Sequence, residues 1–206
     1  MFQEYMEKLV ESVTTKEFSE EVIKAKKEYF SNVGEIFEDD KYFENRMVSF
    51  TEWYCFDRIS EQYQKSPLEH FIDTNMLIWS KQKLDIYTEF LKNIHSVFYV
   101  NKIKKDEVVI QDMSDSKKFT ISMNQSNLIF HKKDIFEARL IPFKEEYYFS
   151  GSFCFHPNQI YRKIKKKLKE KSNNQTEKMK FLFLLSSMSL KLERSRNINY
   201  KDIYKI

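Results

Sequence analysis

"SVFYVNKIKKDEVVIQDMSDSKKFTISM", residues 96–123, is where the chain changes its period. Apolar residues upstream recur every three or four positions. Here β-branched and aromatic residues crowd short runs, several of which alternate in steps of two. "SVFYVNKIK", "EVVIQDM" and "KFTISM" read as three strands, with polar turns at "KKDE" and "SDSK". Two more follow, "FEARLIPF" (136–143) and "EYYFSGSFCF" (146–155), set off by "NQSN" (124–127), "HKKD" (131–134) and "KEE" (144–146). Five short strands over about 60 residues predict a small antiparallel barrel or a strongly bent sheet.

Helical spacing governs the residues before this stretch. Phe2, Tyr5, Met6, Leu9, Val10 and Val13 form one stripe, which Thr14 and Thr15 interrupt. A second helix is expected over 16–33, with Phe18, Val22, Ala25, Tyr29 and Val33 inward and Gly34 as its stop. Phe43, Met47, Phe50 and Tyr54 mark a third. "SPLE" (66–69) has the form of a capping box, with Pro67 at the first helical position. Leu84, Tyr87, Leu91 and Ile94 predict a helix over 79–94. Beyond the strands, Pro157 opens a helix over 158–170. "SNNQTE" breaks the chain, and "KMKFLFLLSSMSLKLER" reads as a final buried helix over 177–194. The expected class is α+β. A helical unit spans 1–95, a five-stranded barrel-like unit 96–156, and C-terminal helices pack on both over 157–206.

Composition narrows the function. The 206 residues are 41% hydrophobic and 32% charged, a folded rather than disordered profile. With 19 Phe and 12 Tyr, the core should be rich in rings. No apolar run approaches the roughly 20 residues that span a bilayer, so no membrane insertion is expected. "MFQEYMEKLVESV" lacks the basic start of a signal peptide, which predicts a cytoplasmic protein. Gly34 and Gly151 are the only glycines. Phosphate-cradling loops need several, so P-loop, dinucleotide-binding and nucleophile-elbow chemistries are disfavoured.

Cys55 and Cys154 lie far apart in core-like segments, as buried free thiols do; a disulfide or a catalytic thiol is the alternative. His70, His95, His131 and His156 show no HxxxH, CxxC or HExxH spacing, so neither a dedicated zinc site nor a cofactor is expected. Glu52 and Cys55 share a helix face that carries no histidine, and Arg58 should pair with an acid. Glu38, Asp39 and Asp40 stand before a helix, where N-terminal capping is expected over metal binding. The chain is read as no enzyme, with no catalytic residue.

Charge is unevenly spread. Residues 1–100 hold 12 basic and 19 acidic side chains, and residues 101–206 hold 23 and 12. "YRKIKKKLKEKS", 161–172, concentrates the excess. On a helix Ile160, Ile164 and Leu168 face inward, while Arg162, Lys163, Lys165, Lys166, Lys167 and Lys169 cover most of the remainder. The i,i+4 pairs 162/166, 163/167 and 165/169 repel by roughly 0.2–0.5 kcal/mol each. This face is the expected binding surface, for an acidic protein surface first and nucleic acid second. Solvent and salt are its ordinary counterparts. The function expected is that of a binding or adaptor protein working through protein–protein contacts.

"DMSDSK" (112–117) resembles the DxSxxG element of PilZ domains, small barrels that bind cyclic di-GMP. Asp112 and Ser114 match, Lys117 stands in place of the glycine, and no arginine between Arg58 and Arg139 supplies the family's RxxxR element. The resemblance covers about 50 residues. It implies a barrel stripped of its usual nucleotide contacts, with Asp112 and Ser114 as remnants of a nucleotide site. An ordinary Asp/Ser turn accounts for the same residues. More broadly, "FTEWYCFDR" (50–58), "SPLEHFI" (66–72) and "KKDIFEARLIPF" (132–143) make the chain similar to uncharacterised bacterial proteins with a helical segment before a small barrel. That resemblance implies architecture and no activity.

Overall fold

The computed structural model describes residues 1–123, 129–195 and 197–206. The "NQSN" turn lies outside them. The class is α+β: five N-terminal helices, a five-stranded antiparallel sheet, and helices at the C-terminal end. The chain forms two compact units. One comprises Met1–Ser31, Glu35–Ile94 and Arg139–Ser152; the other comprises Asn32–Gly34, His95–Ala138 and Phe153–Ile206. The units are thus drawn differently from the three consecutive stretches 1–95, 96–156 and 157–206.

In the first unit, α1 (Phe2–Val13) buries Phe2, Met6, Leu9 and Val13, the expected stripe at helical spacing. A 3-10 turn, Lys16–Phe18, leads into α2 (Ser19–Val33). α3 (Phe43–Phe56) buries more of its circumference than the sequence suggests, because Arg46, Glu52, Trp53 and Cys55 join Phe50 and Tyr54 inside. Phe43 and Met47 are only half-buried. The acidic triplet does not cap this helix. Its N-cap is Tyr42, and the Asp40 carboxylate instead accepts the Phe37 N–H at 2.8 Å.

α4 (Pro67–Asn75) starts with the capping box in full: Ser66 accepts from the Glu69 N–H, and Glu69 accepts from the Ser66 N–H. α5 (Lys81–Phe90) is shorter than the 79–94 expected, and Leu91 is exposed. The chain turns at Leu91–Asn93, where the Asn93 amide donates to the Phe90 carbonyl at 3.0 Å, and Ile94 opens a strand instead. Phenols tie the helices together. Tyr54 donates to the Val13 carbonyl at 3.0 Å and Tyr87 to the Tyr5 carbonyl at 3.1 Å, so their polar ends are satisfied inside an aromatic core.

Arg58 forms the expected ion pair, reaching Glu21 at 2.5 Å and Glu28 at 2.8 Å. Burial disfavours the Glu21 carboxylate, yet hydrogen bonds from Arg58 and Ser60 and the Arg58 charge outweigh it and hold its pKa below the ordinary 4.5. A carboxyl group depressed in the folded state adds stability above its unfolded pKa and loses it as pH falls through its folded one. Stability should therefore decline below pH 4.5, in part through Glu21. Arg58→Gln should lower stability at neutral pH and flatten that acid limb in denaturant unfolding. An unchanged pH slope in the variant would show that this pair does not set it.

The strands are β1 (Ile94–Ile103), β2 (Glu107–Asp112), β3 (Lys118–Ser122), β4 (Ile135–Phe143) and β5 (Glu146–His156), in the order β3-β2-β1-β4-β5. The sheet is open. β3 and β5 end the order without pairing, which corrects the expected barrel. β1 pairs Phe98 with Asp112 and Ile103 with Val108, with an irregularity between Val100 and Lys102. β2 pairs Glu107 with Ser122 and Gln111 with Lys118. Lys144 and Glu145 join β4 to β5 with φ of 50° and 69°, the backbone of a two-residue hairpin turn made here without glycine or asparagine.

In the second unit, strand alternation sorts the side chains onto two faces. Phe98, Phe119, Phe130, Phe136, Phe153 and Phe155 make a ring cluster on one. On the other, Val97, Met113 and Ile135 pack with Ile160, Ile164 and Leu168 and with Leu182 and Leu185. β5 ends at His156, and Pro157 opens a 3-10 turn, Asn158–Ile160. Next come α6 (Tyr161–Lys171), α7 (Gln175–Arg194) and α8 (Tyr200–Ile203). α7 begins two residues before the expected 177, because Asn174 caps it by accepting the Glu177 N–H at 3.0 Å. Gly34 has φ of +99°, and a Cβ there would meet Leu190 Cδ2 at 3.0 Å, so both the backbone and the space favour glycine.

Candidate functional site

α6 places its charges as the sequence suggests. Ile164 and Leu168 are fully buried, with Ile160 at the preceding turn, and the opposite side is basic. The six cations are not equivalent. Lys165 is half-buried and donates to the Tyr161 hydroxyl at 2.9 Å, with its ammonium 5.3 Å from the ring centre. Lys166 and Lys167 lie 4.0 and 3.5 Å from Glu170, which relieves part of their repulsion. Arg162, Lys163 and Lys169 are exposed and make no ion pair among the described residues. They form the outward cationic edge.

Asp112 ends β2 and Ser114 lies in the turn that follows, both buried. Asp112 Oδ1 accepts the Ser96 hydroxyl, the Ser114 N–H and the Ser114 hydroxyl, each at 2.7 Å. These are the hydrogen bonds of an Asp/Ser turn closed on itself and tied to β1.

Cys55 borders a cleft of about 330 Å³ in the first unit, with Met6, Val10, Val48 and Glu52, and no histidine lines that cleft. Burial pushes the Cys55 thiol up to about 12, which keeps it protonated and a poor nucleophile. Glu52 is engaged structurally: its carboxylate accepts the Ser152 N–H at 2.9 Å and the Ser152 hydroxyl at 2.6 Å.

A different cluster gathers in the second unit. Ligand-type atoms of Glu137, Cys154 and His156 all lie within 4.8 Å of one another. Cys154 and His156 are two apart on β5, so they share a face, and Glu137 comes from β4 beside it. Glu137 and His156 are themselves held. Glu137 Oε1 meets His95 Nε2 at 2.9 Å, and its Oε2 accepts the Ser186 hydroxyl of α7 at 3.1 Å. His156 Nδ1 lies 3.1 Å from the Tyr204 hydroxyl. Burial, with Cys154 beside it, pushes the Tyr204 phenol well above its ordinary range, so it stays a neutral hydroxyl.

This cluster escapes motif reading for a definite reason. Templates such as HxxxH and CxxC assume a helix or a knuckle, whereas a strand brings together residues two apart. The C-x-H of Cys154–Phe155–His156 was the available signal. Nothing in the sequence marks Glu137 or His95 as its companions, 17 and 59 residues upstream of Cys154.

Among the described residues, no helix is long and apolar enough to cross a membrane. No curated protein and no solved structure matches the chain. A family model does match, over residues 2–190, and so the chain belongs to DUF7986, a family of unknown function.

Proposed function

We propose that this is a non-enzymatic cytoplasmic binding or adaptor protein whose α6 docks on the acidic surface of another protein. The observation that carries the reading is the division of labour on α6: apolar residues fully buried, and Arg162, Lys163 and Lys169 outward with no acidic partner among the described residues. Like charges crowded on one helix cost free energy, and an opposing acidic surface removes that cost. The cationic edge is not interleaved with aromatic side chains on which bases could stack, which favours protein over single-stranded nucleic acid. Asp112 and Ser114 are buried and bonded to each other, which favours docking over nucleotide sensing.

The test replaces Arg162, Lys163 and Lys169 with glutamine. Poly-glutamate serves as a simple acidic polypeptide, and random duplex and single-stranded DNA as competitors, all at physiological salt. Poly-glutamate binding should weaken in the variant. DNA should stay in the non-specific range of about 10⁻⁴–10⁻⁶ M, where counterion release dominates. Wild-type DNA binding tighter than about 1 μM, with a salt slope that the variant reduces, would transfer the function to nucleic acid. No binding to either polymer would leave the face merely solvated.

A further inference from the structure

Independently of the docking surface, we propose that Glu137, Cys154 and His156 form a site for a zinc-class divalent cation, with the fourth position left to water. Thiolate sulfur, imidazole nitrogen and carboxylate oxygen are the three ligand types that zinc accepts, and three protein ligands with one open position is a recurrent zinc arrangement. Metal–ligand bonds of about 2.0–2.3 Å set tetrahedral ligand atoms roughly 3.3–3.8 Å apart. The three atoms here lie within 4.8 Å of one another, so small side-chain rotations close the gap. Hard cations are poorly served, because magnesium and calcium take oxygen ligands and gain little from sulfur or imidazole.

The surroundings match what such ligands require. Metal-bound histidines and carboxylates are held by hydrogen bonds from an outer layer. Tyr204 holds the Nδ1 side of His156, which directs a metal to Nε2. His95 and Ser186 hold the two oxygens of Glu137. The same contacts argue against a proton relay. In a Cys–His–carboxylate triad the acid orients the histidine that serves the thiol. Here the Glu137 carboxylate is bonded to His95, and the orienting partner of His156 is a phenol.

Cobalt(II) is the probe, because a thiolate bound to it gives an intense charge-transfer band. The full chain should take up one Co²⁺ with that band, released by Zn²⁺ and unaffected by excess Mg²⁺. Cys154→Ser should abolish the band and Cys55→Ser should leave it intact. Ser186→Ala, which strips a hydrogen bond from Glu137, should weaken zinc binding roughly 10–100-fold. The proposal fails if no saturable one-to-one binding occurs, if the band survives Cys154→Ser, or if it disappears in Cys55→Ser. Should Cys154→Ser not fold, iodoacetamide labelling of the wild type decides. Zinc should protect Cys154 from alkylation, and equal rates with and without zinc would refute the site.

Discussion

Asp57→Ala should destabilise the first unit by about 3–5 kcal/mol, the cost of breaking a buried ion pair from one side. Arg139 is only 1% exposed although it is an arginine in the middle of a strand. Its guanidinium is clamped by Asp57 through both terminal nitrogens, meets the Asn93 side-chain oxygen, and lies over the Phe56 ring at 4.9 Å. The fork of the guanidinium matches the carboxylate, so geometry adds to charge. Removing Asp57 leaves a cation in an apolar setting with its main anion gone. Removing both charges should be milder, because the penalty lies in the uncompensated group rather than in lost attraction. Denaturant unfolding of Asp57→Ala, Arg139→Met and the double variant measures this directly. The reading fails if Asp57→Ala costs less than about 1 kcal/mol, the range of exposed pairs. It also fails if the double variant is no better than Asp57→Ala alone.

Phe136→Ala should cost a similar amount for a different reason. Phe136 is fully buried in the second unit, with the rings of Phe98, Phe130, Phe153 and Phe155 at centroid distances of 6.0, 5.0, 5.9 and 5.7 Å. Deleting it removes apolar burial and leaves a cavity that a ring cluster fixed on β1, β4 and β5 cannot collapse to fill. Such losses run to about 3–5 kcal/mol. At about 2–4 °C per kcal/mol for a chain of this size, the Tm should fall by roughly 6–20 °C. Phe136→Leu retains most of the volume and should fall less. Calorimetry showing a drop under about 2 °C for the alanine variant would mean that the ring cluster contributes little.

The parts of the fold visible in the sequence are those set by local rules. The five strands begin and end within two residues of their β-branched and aromatic runs, because alternation and turn residues act over a few positions. Ser66, Pro67 and Glu69 announce α4, since a capping box is complete within four residues. The inward face of α6 is equally local. What escaped depends on distance. Ile94 has the spacing of a helix but is taken by β1. Whether five strands close or stay open depends on whether β3 reaches β5, which no local pattern encodes. Arg139 reads as a stray charge until Asp57, 82 residues earlier, is placed beside it. The candidate metal ligands are of the same kind: Cys154 and His156 are near neighbours in sequence, yet Glu137 joins them only through strand pairing.

The open sheet has a consequence for self-association. A free margin exposes backbone donors and acceptors onto which a neighbouring chain can add a strand, the route to fibrils and unintended dimers. Both margins carry protection. β3 is only five residues long and begins with Lys118 after Lys117, short and cationic where a template would need length and apolar character. β5 is longer but holds Gly151 at φ of +135°, outside the extended backbone a partner strand requires, and the next amide, Ser152 N–H, is spent on Glu52 from α3. The buried Glu52 carboxylate thus occupies a backbone donor of the outer strand as well as a hydroxyl. Losing it, as in Glu52→Ala, would leave the buried Ser152 N–H without its acceptor on the margin of the sheet.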